Sequence, residues 1–270
     1  MRKLKQTVLA MGVLGLVGSV GLMSMAQDRP PQRGPGSYLS DADVQVIRRA
    51  ELRENDTEVG FRFMNNLRRR FVESQQGLEL REFSRGTDLQ QALYIIENTD
   101  DPDLLKDLII RNDPASLRVW RRNVQPIVLQ GCASAGCHGG VEPVGGLQLY
   151  RNAANENVAY TNFYALTTYE QRFEGDSIFG GGVKKMIDRQ RPVDSLLLQF
   201  ALPPDSVETP HPKPASGQDI AVFRNTRDAR YQGIGEWIER ALAPLDNEGY
   251  GIEFELPGRG NPTPATRPGQ

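Results

Sequence analysis

The sequence predicts a mostly α-helical protein with long loops, and three observations support this fold class. Apolar residues recur at helical spacing in several segments, most clearly from Leu117 and from Tyr231. Residues that favour a helix start precede some of these segments, as Ser40 and Asp43 do in an S-x-x-D capping box. Glycine and proline are frequent, at 27 and 18 of 270 residues, which favours long connections around the core.

The first half of the chain is predicted to contain several short helices. The capping box starts a helix over 40–55. Residues 58–73 begin with strand-like alternation and continue with helical spacing, so periodicity does not choose between strand and helix. Two more short helices are predicted over 88–97 and 103–110.

A longer helix is predicted to begin at Asp113 and Pro114, which pair a capping residue with a proline suited to the first turn. Pro126 is expected to end or kink this helix just before a cysteine-containing segment. Its apolar stripe consists of Leu117, Trp120, Val124 and Ile127.

The remaining chain is expected to be mainly loop with two further helical elements. Residues 139–182 are rich in Gly, Asn and Tyr and predict little regular structure. A short apolar element covers 196–200, and the last helix runs over about 228–241. The buried face of that last helix is predicted to consist of Tyr231, Ile234, Trp237, Ile238 and Leu242.

The first 26 residues have the order of a secretory signal peptide, with three positive residues, a charge-free apolar run and a small-residue cleavage site. The apolar run is short for a membrane-spanning helix, which needs about 20 residues. Cleavage would move the formal net charge from -2 to -5 because it removes only positive side chains. A mildly acidic, exported chain is expected to lie in the periplasm or outside the cell, without nucleic acid as a partner and without membrane insertion.

The organisation expected after the signal peptide has four parts. A flexible spacer covers 27–39, a helical region covers 40–112, and a second helical domain covers 113–246. An extended or disordered tail is expected over 247–270, where the last residues are rich in Pro and Gly.

The segment from Cys132 to His138 carries the strongest chemical signal in the chain. It reads Cys-Ala-Ser-Ala-Gly-Cys-His, so the second cysteine, Cys137, lies directly before the histidine. The usual signal for covalent haem attachment is C-x-x-C-H, in which two thiols bond to the haem and the histidine ligates its iron. Four small residues stand here in place of two and are expected to bulge outward. The motif therefore predicts one covalent haem c held by Cys132 and Cys137, with His138 as proximal ligand.

Three other interpretations of the two cysteines compete with haem attachment. A Cys132–Cys137 disulfide is ordinary chemistry in an oxidising compartment. A zinc site would use both cysteines with His138 and His211. A redox-active dithiol usually has the shorter C-x-x-C spacing.

The order of motifs around the cysteines resembles the cytochrome c-like domains of exported planctomycete proteins over roughly residues 115–245. Those domains combine a P-I-L lead-in, C-x-x-C-H-G, G-G-L-x-L, S-L-L and a W-I-x-x-G/A helix. The matching segments here are 124–128, 132–139, 145–149, 195–198 and 235–242. The resemblance implies a class I cytochrome c-like helical domain with long loops, in which the first and last helices cross and Trp120 packs against Trp237.

The distal iron ligand is the main departure from the family pattern. The family places Met-Pro-Pro where this chain has Thr-Pro-His-Pro-Lys-Pro around His211. His211 is therefore the expected distal ligand, stiffened by the prolines on both sides. Met186 is the alternative distal ligand, and a vacant sixth site is the third possibility. Arg121 and Arg122 are weaker candidates for pairing with the haem propionates.

The expected function is one-electron transfer in the periplasm, which implies a redox partner protein. An electron carrier is expected rather than a catalyst, because two histidine ligands leave the iron no position for substrate. One alternative is a haem enzyme or sensor with an open sixth site. The other is a secreted binding or structural module without haem, stabilised by a Cys132–Cys137 disulfide.

Overall fold

Helices account for most of the regular structure in the computed structural model, which describes residues 38–141, 144–173, 182–214, 217–245 and 249–256. The α-helices are α1 (Asp41–Ala50), α2 (Leu67–Ser74), α3 (Leu80–Phe83), α4 (Asp88–Asn98), α5 (Pro102–Leu105), α6 (Ala115–Val119), α7 (Gln125–Cys132), α8 (Glu156–Thr168), α9 (Leu196–Gln199) and α10 (Ala229–Glu236). The strands are β1 (Phe61–Phe63), β2 (Leu108–Ile110), β3 (Glu170–Arg172) and β4 (Val183–Lys185). The predicted signal peptide over 1–26 lies outside the described residues, as does most of the predicted spacer.

The predicted capping box at the start of α1 is confirmed. The Ser40 hydroxyl accepts a hydrogen bond from the Asp43 amide at 3.3 Å, and the Asp43 carboxylate accepts one from the Ser40 amide at 2.7 Å. Leu39 is buried and donates its amide to the Thr161 hydroxyl, so the spacer prediction is wrong for its last residue. The helix ends at Ala50 rather than 55 because the chain turns, with the Arg53 amide bonded to Asp56.

Residues 58–73 contain both structures that the periodicity allowed, first a strand and then a helix. β1 is followed by Asn65 and Asn66, whose φ angles of 48° and 55° are left-handed and turn the chain into α2. The helix predicted over 103–110 is wrong in its second half. Residues 108–110 form β2, which pairs antiparallel with β1 in the register Phe61 to Ile110. This long-range pairing overrides the local helical pattern.

Two hydrophobic clusters divide the described core. One is confined to residues 52–110, with Phe71, Ile95 and Leu108 at its centre. The other takes in Leu39, part of α1 and the chain from 117 onward. The domain boundary predicted at residue 112 stays a prediction, because α1 precedes this boundary but packs in the second cluster.

The helix that leads to the cysteines continues through Pro126. A π-helical turn over Trp120–Val124 joins α6 to α7, and the Gln125 amide donates to the Trp120 carbonyl. The π-helical turn shifts the pattern of backbone hydrogen bonds along the helix. Pro126 therefore lies in the first turn of α7, where its missing amide hydrogen costs no helical hydrogen bond. The expectation that Asp113 caps the helix is wrong, because its carboxylate is buried and accepts from Arg48 at 2.6 Å. Asp56 instead accepts from the Ala115 amide.

The prediction of little regular structure over 139–182 is wrong for α8. Its thirteen residues start at the N-cap Asn155, and residues 158–166 are all buried. A helix buried all round lacks the one-sided apolar stripe by which amphipathic helices are recognised in sequence. The hairpin of β3 and β4 follows directly.

The expected packing of Trp120 against Trp237 is confirmed. Their rings stack with centroids 5.7 Å apart at 25°, and both side chains are almost fully buried. Each indole donates a hydrogen bond, Trp120 to the Ala159 carbonyl and Trp237 to the Ser116 carbonyl. α6 therefore meets the last helix, in which α10 continues as a π-helical turn over Trp237–Ala241.

Residues 249–256 have no helix or strand, yet they are packed on the core. Tyr250, Phe254 and Leu256 are buried, and the Tyr250 hydroxyl donates to the buried Glu51 carboxylate at 2.6 Å. This part of the predicted extended or disordered tail is therefore anchored on the core by its apolar side chains. No helix in the described part of the chain has the length and apolar character to cross a membrane.

Candidate functional site

The cysteine segment forms a closed loop at the end of α7. The chain leaves the helix at Cys132 and returns at His138, whose amide donates to the Cys132 carbonyl at 3.2 Å. The Gly139 amide closes a second contact with the Ser134 carbonyl at 2.9 Å. Ala133 is buried, whereas Ser134 and the next two residues are exposed. The additional residues of the expanded motif thus lie on the outside of the loop.

His138 is held by the segment that follows it. Its Nδ1 lies 3.0 Å from the Val144 carbonyl and 3.1 Å from the Leu147 carbonyl, so this nitrogen carries the proton of a neutral ring. The Leu149 amide donates to the His138 carbonyl at 2.7 Å. Nε2 is left as the nitrogen with a free lone pair. Metal-bound histidines commonly have this arrangement, with the other ring nitrogen donating to a carbonyl.

His211 is held by its own loop in the same way. Its Nδ1 lies 2.6 Å from the Pro212 carbonyl, which again leaves Nε2 as the candidate donor atom. The Phe200 ring meets the imidazole edge-on, with centroids 5.1 Å apart. The loop is fixed at the buried Thr209, whose amide donates to the Gln199 side chain and whose hydroxyl accepts from Lys184.

The two histidine rings lie close together, although 73 residues separate them in sequence. Their ring centroids lie 6.0 Å apart, with an angle of 59° between the ring planes. Two imidazoles that bind opposite sides of one ion, with metal–nitrogen bonds of about 2.0–2.1 Å, have centroids roughly 6 Å apart. Burial lowers the pKa of both rings, and for His138 the neighbouring His211 lowers it further. Both rings are therefore neutral near pH 7, which is the form that ligates metals.

The histidine pair lies in a cavity whose walls are mainly apolar. Cofactor sites in proteins commonly have walls of this kind. Walls come from α7, α8, α9, α10 and the loop before α10. They include Val128, Leu166, Leu197, Phe200, Val222 and Ile234. Among the described lining residues there is no Asp, Glu, Lys or Arg. The described walls around the two imidazoles are therefore free of charged side chains.

Both cysteines line this cavity beside His138. They are not joined in a disulfide. Burial raises the pKa of the Cys132 thiol to about 11, and the nearby Cys137 adds to the shift. Within the described ranges, no three or more His, Cys, Asp or Glu side chains form a group that could hold a metal ion. The geometry therefore gives no support to the zinc interpretation in this part of the chain.

Met186, the alternative distal ligand, also lines the cavity. It is buried, and its backbone is tied by the Tyr169 carbonyl on one side and the Leu197 amide on the other. Arg121 is not at the cavity. Its guanidinium binds the carboxylates of Asp113 at 3.0 Å and Glu156 at 3.1 Å.

The backbone groups that orient His138 are not indicated by the sequence. Segment 145–149 matches a motif of the family resemblance, but a carbonyl acceptor leaves no signature in side-chain identity. The cavity walls at Phe200 and Val222 were missed as well, because they come from loops and short helices. The need for glycine at position 131 also becomes clear only from the fold, because a Cβ there would lie 2.7 Å from the Val222 side chain.

No protein-family model, no curated protein and no solved structure matches this chain.

Proposed function

We propose that this protein is an electron carrier with one haem c, bonded to Cys132 and Cys137 and ligated by His138 and His211. One observation carries the proposal. Two neutral imidazoles lie with their centroids 6.0 Å apart in an apolar cavity, each with Nδ1 bonded to a backbone carbonyl. The porphyrin supplies four of the six ligands of haem iron, so a pair of histidines can supply the other two.

The cysteines add the covalent part of the proposal. Both thiols line the cavity that contains the imidazoles, and the loop that carries them closes at Cys132 and His138. The four residues between the thiols do not fill the cavity, since Ser134 and the two residues after it are exposed. The expanded spacing thus leaves the required adjacency of Cys137 and His138 intact.

The bound group would supply one-electron redox chemistry, and the chain controls its surroundings. His138 and His211 would hold the iron of this group, and the iron would then have no position open to a substrate. The apolar walls disfavour extra charge in the cavity. Two imidazole ligands favour a lower potential than a histidine and methionine pair. These features suit an electron carrier of low potential.

The proposal also includes the family resemblance and the location. The stacking of Trp120 on Trp237 supports a class I cytochrome c-like helical domain, because it joins the first and last helices of the predicted domain over 113–246. Export to the periplasm is inferred from the signal peptide order over 1–26. A redox partner protein follows from the function.

The axial ligands can be tested by visible absorption of protein made in a host that attaches c-type haem. The wild type should show low-spin iron, and His211→Ala should become high-spin because it loses an axial ligand. Met186→Leu is the matched control and should leave the spectrum unchanged. A spectrum altered only by Met186→Leu would instead assign Met186 as ligand. High-spin iron in the wild type would favour an enzyme or sensor with an open site.

A further inference from the structure

A haem carries two propionate groups, and these negatively charged groups need polar surroundings. Burying a carboxylate without a partner in an apolar cavity is strongly unfavourable. The cavity that holds both cysteines has no charged side chain among its described lining residues. Its inner walls around Leu149, Leu166 and Ile234 therefore cannot receive a propionate.

A second cleft adjoins this cavity, and we call it the outer cleft because exposed residues such as Val144 and Lys213 line it. His138, His211, Met186 and Phe200 line both spaces, so the two meet at the imidazoles. The outer part adds polar side chains that the inner part lacks. They are Tyr169, Gln171 and Lys213.

Lys213 is the cationic side chain among the described residues that line the outer cleft. Its ammonium group lies 3.0 Å from Asp219, and both side chains are about half exposed. An exposed ion pair of this kind contributes little stability and can exchange partners at small cost. The lysine can therefore turn from Asp219 to a carboxylate in the cleft.

Gln171 is presented to the cleft by the register of the hairpin. It lies opposite Lys184 on β4, and both side chains are half-buried. Lys184 faces the loop of His211, where it donates to Thr209. The neighbouring Lys185 pairs with Glu170 in the register and is exposed on the opposite face of the hairpin.

We infer that the outer cleft receives a haem propionate, with the Lys213 ammonium and the Gln171 amide as its partners. This inference rests on the proposed function, because it concerns the same cofactor. Arg121 and Arg122 were only weaker candidates for this role in the sequence. Arg121 is engaged by Asp113 and Glu156, and neither arginine lines the inner or the outer cavity.

The test compares haem-loaded wild type with Lys213→Gln, Lys213→Arg and Lys185→Gln. The midpoint potential is measured by spectroelectrochemistry at low ionic strength, where charges at an exposed site are least screened. Lys213→Gln should lower the potential, because the lost cation had favoured the reduced haem. Lys213→Arg should stay near the wild type. Lys185→Gln removes the same charge from the opposite face of the hairpin and should have little effect.

Resonance Raman spectra of the same samples separate direct contact from a distant charge effect. The propionate bending mode should shift in Lys213→Gln and should not shift in Lys185→Gln. Haem-loaded Lys213→Gln with an unshifted bending mode, or with a potential like that of Lys185→Gln, would overturn the inference alone. A wild type without haem would overturn the proposed function and this inference together.

Discussion

Gly139 provides a sharp test of the closed loop that carries the cysteines. A Cβ at this position would lie 2.1 Å from the Ala133 carbonyl oxygen and 2.7 Å from its carbon. Both are backbone atoms of a buried residue, so they cannot move aside as the end of a long side chain would. Gly139→Ala must therefore open the loop.

The cost can be worked from the hydrogen bonds that close the loop. Opening it breaks the bonds from the His138 amide to Cys132 and from the Gly139 amide to Ser134. Each such bond contributes about 1 kcal/mol net, so Gly139→Ala should lower the free energy of unfolding by about 2 kcal/mol. That is roughly a 30-fold change in the folding equilibrium.

The assay is equilibrium urea unfolding followed by far-ultraviolet circular dichroism. Gly136→Ala is the matched control, because it lies in the same loop and its added Cβ would meet nothing within 4 Å. The control should change stability by less than about 0.5 kcal/mol. Equal unfolding midpoints for the two variants would refute the loop geometry described above.

Two further predictions concern the core. Trp120→Ala should destabilise the protein by about 3–5 kcal/mol, because it leaves a cavity beside Trp237. Thermal and urea unfolding would measure the loss of stability. A loss below about 1 kcal/mol would contradict the stacking. The Asp113 carboxyl loses solvation on burial, which raises its pKa, but hydrogen bonds from Arg48 and Tyr160 outweigh this and hold the pKa below its usual value. Asp113→Asn should therefore cost about 3 kcal/mol at pH 7. The difference from wild type should shrink as the pH falls below about 4, because the carboxyl of the unfolded wild type becomes protonated there while the folded one is still ionised. A difference in urea midpoint that stays constant from pH 7 to pH 3 would contradict this assignment.

The sequence predicted best the elements that local interactions decide. The capping box at Ser40 and the last helix behind Asp228 depend on neighbours within a few residues. The packing of Trp120 on Trp237 was predicted through the family resemblance, and the structure has it. Only the first two of these features need no knowledge of the rest of the chain.

Features that depend on distant partners could not be predicted in this way. α8 is buried on every side, so its sequence has no polar face to show helical periodicity. Asp113 looks like a cap in sequence, but Arg48 and Tyr160 bring cationic and hydroxyl donors from elsewhere in the fold. β2 forms because β1 offers a partner strand.

The candidate site shows the same division. Cys132, Cys137 and His138 could be named as candidate site residues from the sequence, because all three lie in one short motif. Pairing His211 with His138 was an expectation from scarcity, and the structure brings these rings to 6.0 Å. The carbonyls that orient each ring and the polar outer cleft follow from chain packing, so no spacing rule could have indicated them.

The central claim is tested most directly by the intact mass of the exported protein, with a pyridine haemochrome spectrum of the same sample. The protein should be produced in a host that attaches c-type haem. The account predicts a mass gain of one haem and a c-type haemochrome band, both lost when Cys132 and Cys137 are replaced by alanine together. A wild-type mass lower by two hydrogens, with no haem absorption, would contradict the account and indicate a disulfide-bonded module instead.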